Sequence, residues 1–132
     1  MTEIPDDLRY SEDHLWVRSD TSRSSAQIGI TDYAQDSLGD VVNITLPEVG
    51  QSLTPGEAFG EIESTKSITD LISPLDGTVR TRNGVLADTP ELVNTNPYGQ
   101  GWMLQVDVAP STLDDQLGAL MDADSYRDLV GE

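Results

Sequence analysis

A chain of 132 residues with 36% hydrophobic content can bury one core but is too short for most complete multi-substrate enzymes, so residues 1–132 are expected to form a single domain acting as a module. Its 24 acidic residues against seven basic ones leave a net charge of −17, a surface that repels nucleic acid and anionic lipid and excludes both as partners. With no cysteine the chain has no disulfide, thiol nucleophile or thiolate zinc site, and neither a leader-like amino terminus nor an apolar run near the ~20 residues that span a bilayer, which points to a soluble, cytoplasmic protein.

From the amino terminus, Leu15 to Val17 and Ala26 to Ile30 read as strands around the polar loop Ser19 to Ser24, and pair as a hairpin. Thr31 to Gly39 reads as a short helix, with Thr31 or Asp32 as its cap and Gly39 as its left-handed stop. Asp40 to Leu46 alternates as a half-buried strand that Pro47 ends. From there to about Val108 short strands are punctuated by Pro- and Gly-bearing turns, the pattern of an all-β sandwich or barrel. Two of these turns, at Pro55/Gly56 and Pro74/Gly77, hint at a pseudo-twofold pair of β units meeting near residue 66.

Between the units, Glu61-Ile62-Glu63 and Ile68 to Ile72 alternate as strand arms, and the small polar interruption Ser64-Thr65-Lys66-Ser67 is a hairpin tip. Thr89 to Val93 suits one helical turn with Pro90 first, Asn96 to Gly99 a turn, and Gly101 to Val108 a last strand. Ser111 opens a helix with a capping pattern that sets Leu113, Leu117, Leu120 and Met121 on one face, and Asp122 or Asp124 starts a final helix carrying Tyr126, Leu129 and Val130.

Lys66 is the only lysine of the chain, on a tip where its amine is presented. A Schiff-base lysine needs desolvation to lower its pKa, and four polar tip residues do the reverse. His14 reads as a structural or contact residue, since no Ser or Cys nucleophile motif accompanies it. Asp114, Asp115, Asp122, Asp124 and Asp128 lack the glycine-bearing spacing of a calcium loop and read as a solvated face and caps. Gly99-Gln100-Gly101 is not a phosphate loop, and the sequon Asn43-Ile44-Thr45 lies inside a strand. No catalytic or metal residue is assigned; what remains is covalent modification of Lys66. Acylation would take the net charge to −18 and turn the side chain into a tether sweeping on the order of 15 Å.

The ordered set Gly29-Ile30-Thr31, Ala34-Gln35, Leu38-Gly39-Asp40, Leu46 to Gly50, Glu63-Ser64-Thr65-Lys66, Ser73 to Gly77, Asp88 to Asn94, Asn96 to Gly99 and Gly101-Trp102-Met103 resembles the H protein of the glycine cleavage system, a relative of biotinyl/lipoyl domains. The resemblance runs from about Tyr10 to Glu132. It implies a mainly β, lipoyl/biotinyl-type sandwich (a hybrid barrel-sandwich), with a hairpin and helix over about 10–39, the core over about 40–108 and packed helices over about 111–131. It further implies a monomeric carrier, not an enzyme, with lipoate in amide linkage on Lys66. The dithiolane would supply the sulfur that a cysteine-free chain lacks. The implied partners are a pyridoxal-phosphate glycine decarboxylase, a tetrahydrofolate-dependent aminomethyltransferase, dihydrolipoamide dehydrogenase and lipoylation enzymes.

Two positions depart from the family's pattern. Members commonly read His-Glu-Trp and Thr-x-His-Ala-Gln where this chain reads His14-Leu15-Trp16 and Thr31-Asp32-Tyr33-Ala34-Gln35, so the loaded arm loses two polar partners, for which Asp13 or the Tyr33 hydroxyl could compensate. The alternatives are a carrier in lipoate synthesis or transfer, and a lipoyl domain of a 2-oxoacid dehydrogenase or a biotin carrier; biotin acceptors usually flank lysine with methionine, which Thr65 and Ser67 do not supply. Aspartate outnumbers glutamate 16 to eight and arginine provides six of the seven cations, so a salt-adapted source, where ~1 M salt cuts the screening length to roughly 3 Å, would explain the composition; an acidic partner-facing surface would too.

Overall fold

The structure, a computed structural model, describes residues 2–131; Met1 and Glu132, the ends of the expected domain, lie outside them. Strands β1 (Arg9–Tyr10), β2 (Leu15–Asp20) and β3 (Ser25–Ile30) precede helix α1 (Asp32–Leu38). Then come β4 (Val41–Thr45), β5 (Ser52–Leu53), β6 (Ala58–Ser64), β7 (Ile68–Ile72) and β8 (Gly77–Arg82). The short helices α2 (Val85–Asp88) and α3 (Leu92–Thr95), strand β9 (Leu104–Asp107) and helices α4 (Pro110–Gly118) and α5 (Ala123–Val130) complete the chain. The strands form two antiparallel sheets, one ordered β1-β2-β3-β9-β8-β5 and the other β4-β6-β7, so the expected sandwich with a hairpin, a short helix and carboxy-terminal helices is what forms.

Strand periodicity decides where the core lies. Along β2, Leu15 and Val17 point into the main core with Ile28, Ile62, Val79 and Val106, while Trp16 points the other way. That outer face is covered by Ile4, Leu8, Tyr98 and Tyr126, so Trp16 is also fully buried, and its indole donates to the Pro97 carbonyl at 2.9 Å. Gly29 pairs with Trp16 across β2 and β3, and a Cβ there would meet the indole at 2.7 Å. The indole therefore needs glycine beneath it.

Several local expectations are corrected. Strand β1, at two residues too short to show alternation in the sequence, adds to β2, and Tyr10 exchanges backbone hydrogen bonds with Met121. Helix α2 carries no signal in the sequence, whereas the helical turn expected over Thr89 to Val93 does form, with the Leu92 amide on the Thr89 carbonyl and the Val93 amide on the Pro90 carbonyl, both at 3.2 Å, and runs on into α3. Each short helix places one side chain in the core, Leu86 from α2 and Val93 from α3. The last strand is confined to Leu104–Asp107, since the Gly101 and Trp102 amides turn back onto the Asn96 and Gly99 carbonyls at 2.9 and 3.1 Å. Helix α4 starts at Pro110 with no side-chain cap, so Ser111 does not cap it, whereas Asp122 caps α5 by accepting from the Ser125 amide. Leu113, Leu117 and Leu120 face the main core, but Met121 lies beyond the helix and joins the second cluster, and Leu129 is half exposed. Gly39 has φ 79° and ψ −158°, a positive φ outside the left-handed helical region. The Pro55/Gly56 and Pro74 turns do abut, through the Gly56 amide on the Ser73 carbonyl and the Ser73 amide on the Glu57 carbonyl, but at the end of the β6–β7 hairpin away from Lys66.

Candidate functional site: the Lys66 hairpin and its cleft

Lys66 stands where the sequence places it, at the tip between β6 and β7, whose last pair is Glu63 with Ile68. The tip is pinned from below by Ser64, which is buried. Its hydroxyl accepts from the amides of Lys66 and Ser67, both at 3.2 Å, and donates to the Ser67 carbonyl. One proton and two lone pairs are thereby all used, so this small side chain saturates the turn. The Ser64 amide also reaches the Ser67 carbonyl at 2.8 Å, and the Thr65 amide reaches the Asp40 carbonyl at 3.0 Å. The backbone is held while the lysine side chain stays exposed and outside any ion pair among the described residues.

The lysine stem rests on Gly39, where a Cβ would stand 3.1 Å from Cε and 3.5 Å from Nζ. Asn94 braces that seat. Its Nδ2 donates to the Gly39 carbonyl at 2.8 Å and to Gln35 Oε1 at 3.1 Å, and its Oδ1 accepts from the Val41 amide at 2.9 Å, tying the end of α1 and the start of β4 to α3. Ser64, Gly39 and Asn94 lie within the segments that the sequence singles out, but their roles become visible only when segments distant in sequence meet.

Beside the tip, from Ser67 inward, lies an open cleft of about 400 Å³. Leu15, Ile30, Ile62 and Leu71 give it an apolar floor, and Asp13, His14, Tyr33 and Asp70 give it a polar rim. Leu15 and Tyr33, the two departures from the family pattern, thus both line the space next to the lysine. The His14 ring is half-buried and packs on Tyr33 with centroids 4.8 Å apart. Its Nδ1 meets the Tyr126 hydroxyl at 2.8 Å. Burial lowers its pKa below the ordinary histidine value, and the neighbouring Asp13 carboxylate offsets part of that shift.

Elsewhere the carboxylates of the last two helices behave as caps and solvated groups. Asp122 caps α5 and Asp124 accepts from Arg127 at 2.7 Å. No group of three or more metal-ligating side chains is assembled among the described residues, and none of their helices is long and apolar enough to cross a membrane.

Residues 8–132 match the family model described as glycine cleavage H-protein. The glycine cleavage system H protein of Mycolicibacterium smegmatis is 51% identical over 132 residues, covering all of both chains. That of Mycobacteroides abscessus is 52% identical over 129 residues, covering 97% of this chain and 98% of its own. A crystal structure of a glycine cleavage system H protein from Mycobacterium marinum superposes with a TM-score of 0.87 at 37% identity, covering 98% of this chain and 100% of that one, which matches the sandwich in three dimensions.

Proposed function

The chain belongs to the glycine cleavage H-protein family, and from that premise we propose that residues 1–132 act as one cytoplasmic carrier domain, not an enzyme, with lipoate in amide linkage on Lys66. The observation that carries this reading is the pairing of the only side-chain amine, on a pinned tip, with an adjoining cleft whose floor is apolar and whose rim is polar. When bound, the dithiolane supplies the sulfur to which a one-carbon amine is attached, and glycine decarboxylase, an aminomethyltransferase and dihydrolipoamide dehydrogenase are the partners that load, unload and reoxidise the carrier. A lipoylation enzyme makes the amide.

The residues of the chain account for the two needs of a carrier, a steady attachment point and a resting place. Ser64 fixes the tip, so motion is confined to the side chain beyond Cα, and Gly39 lets the stem lie flat against the end of α1. The cleft fits an alkyl chain: each methylene buried against Leu15, Ile30, Ile62 and Leu71 contributes about 0.8 kcal/mol, so three or four of them give roughly 3 kcal/mol, enough to favour a parked state yet small enough for partners to reverse. A positively charged amine at the end of the arm finds carboxylates at Asp13 and Asp70. With Leu15 in place of the family's glutamate, Asp13 and the Tyr33 hydroxyl are the groups proposed to compensate. Asp13→Asn and Tyr33→Phe should each speed hydrolytic loss of the loaded group, and unchanged loss in both would reject that assignment.

A salt-adapted source finds no support in the relatives named here, which are mycobacterial. The acidic surface is proposed instead to keep a small, mobile carrier soluble and free of nucleic acid and membrane. The carrier reading is tested with the lipoylated chain as substrate for dihydrolipoamide dehydrogenase: turnover that disappears in Lys66→Arg supports it, and turnover that persists in Lys66→Arg rejects it.

A further inference from the structure

The hydroxyl of Tyr126, on α5, bridges the two elements that frame the cleft. It lies 2.7 Å from Thr31 Oγ1, at the start of α1, and 2.8 Å from His14 Nδ1, in the turn before β2. Thr31 is fully buried, and its Oγ1 already accepts from the Ala34 amide at 3.1 Å. Among the described residues its own proton has one acceptor within reach, the Tyr126 oxygen. Tyr126 is also fully buried and must place its proton too. Both hydroxyl protons are satisfied only when Thr31 donates to Tyr126 and Tyr126 donates to a bare Nδ1 of His14. The opposite direction, with Nδ1–H donating to Tyr126, strands one buried hydroxyl proton and is disfavoured roughly tenfold or more.

We propose that Tyr126 is a positioning residue of the cleft: held by Thr31, its hydroxyl fixes His14 as the neutral imidazole with its proton on Nε2, so that the cleft offers a hydrogen-bond donor beside the Asp13 carboxylate. This deepens the carrier reading and rests on it for its use, because a donor next to a carboxylate suits a tethered group that carries a cationic amine and a neighbouring acceptor such as sulfur. Among the described residues Nε2 of His14 has no hydrogen-bond partner, and its ring lines the cleft. The charged and titratable groups that face it are Asp13 from its own turn, Tyr33 from α1, Tyr126 from α5 and Asp70 from β7 across the cleft. Burial keeps Tyr126 protonated, with its pKa pushed up to about 12, and so available as a donor.

His14 is the only histidine in the chain, so nitrogen-15 spectra of the imidazole report one residue. In the full-length unmodified protein the expected result is an unprotonated Nδ1 and a protonated Nε2 at neutral pH. Tyr126→Phe removes the donor to Nδ1; the tautomer ratio relaxes toward that of a free imidazole, and the titration midpoint rises. Tyr98→Phe is the control, since Tyr98 is also buried but bonds the Asp32 amide and the Glu3 carbonyl, and it leaves His14 unchanged. A protonated Nδ1 in the wild-type protein overturns the proposal whether or not the variant folds, and so does a Tyr126→Phe spectrum and midpoint equal to wild type. In the lipoylated, aminomethyl-loaded chain Tyr126→Phe should speed hydrolytic loss several-fold; unchanged loss with an altered tautomer overturns the link to the arm. The Nε2–H tautomer found in a protein whose lysine proves unmodified would instead count against the carrier reading alone.

Discussion

Gly39 is where fold and attachment point depend on one residue. At φ 79° and ψ −158° it occupies a region that is essentially glycine-only, and its missing Cβ leaves room for the Lys66 stem. In Gly39→Ala the new Cβ would meet Lys66 Cε at 3.1 Å, closer than the usual 3.5–4.0 Å carbon contact, but a flexible stem turns aside at small cost. Backbone strain therefore dominates, and about 1–3 kcal/mol of stability is lost. At this chain length each kcal/mol moves the melting temperature by roughly 3–5 °C. Urea unfolding followed through the tryptophans gives the loss directly, provided the m-value is unchanged. Gly131, the C-cap of α5, sharpens the comparison because it is left-handed helical at φ 80° and ψ 26°, with nothing within 4 Å of its would-be Cβ. Asparagine tolerates that region but not the conformation of Gly39. Gly131→Asn should be nearly neutral and Gly39→Asn as costly as Gly39→Ala. Equal, small losses at both sites would refute the reasoning.

Asn94→Ala removes three hydrogen bonds that hold the Gly39 carbonyl, Gln35 and the Val41 amide, and should cost about 2–3 kcal/mol by urea unfolding. Asn94→Asp should be worse, because a carboxylate can keep the Val41 bond but only repels the other two oxygens. Lowering the pH from about 7 toward 5 should destabilise the protein: His14 binds its proton less tightly folded than the ordinary ~6.5 of the unfolded chain, so the unfolded state is protonated first, and stability is lost as pH falls through ~6.5 toward the lower folded pKa. His14→Gln should flatten that slope in chemical unfolding series. With a net charge of −17, the melting temperature should rise from low salt to molar KCl as self-repulsion is screened, and a flat salt series would show that the charge is spread too widely to matter.

What could be read without the structure was local. The β2–β3 hairpin, α1 with its Thr31 cap and the Lys66 tip each follow from neighbouring residues: strand alternation, a hydroxyl before a helical run, a polar break between β-formers. The cleft could not be read this way, because its lining comes from β2, β3, α1, β6 and β7. The Tyr126–His14 bond spans 112 positions, and in sequence Tyr126 is only an apolar residue on a terminal helix. Helix α2 is illegible in the sequence for a related reason: four residues carry no helical period, and Leu86 is drawn inward by the core it fills. Gly39 reads as a stop, yet neither its unusual ψ nor its place under the lysine stem is written in its neighbours, and its carbonyl is held by Asn94, 55 positions away.

The central claim is that Lys66 carries a lipoyl arm, and the intact mass of the protein purified from its native source tests it most directly. The expected result is a gain of one lipoyl group, localised to Lys66 by peptide mapping and absent in Lys66→Ala. A biotin-sized gain, or a native population with no gain at all, would contradict it.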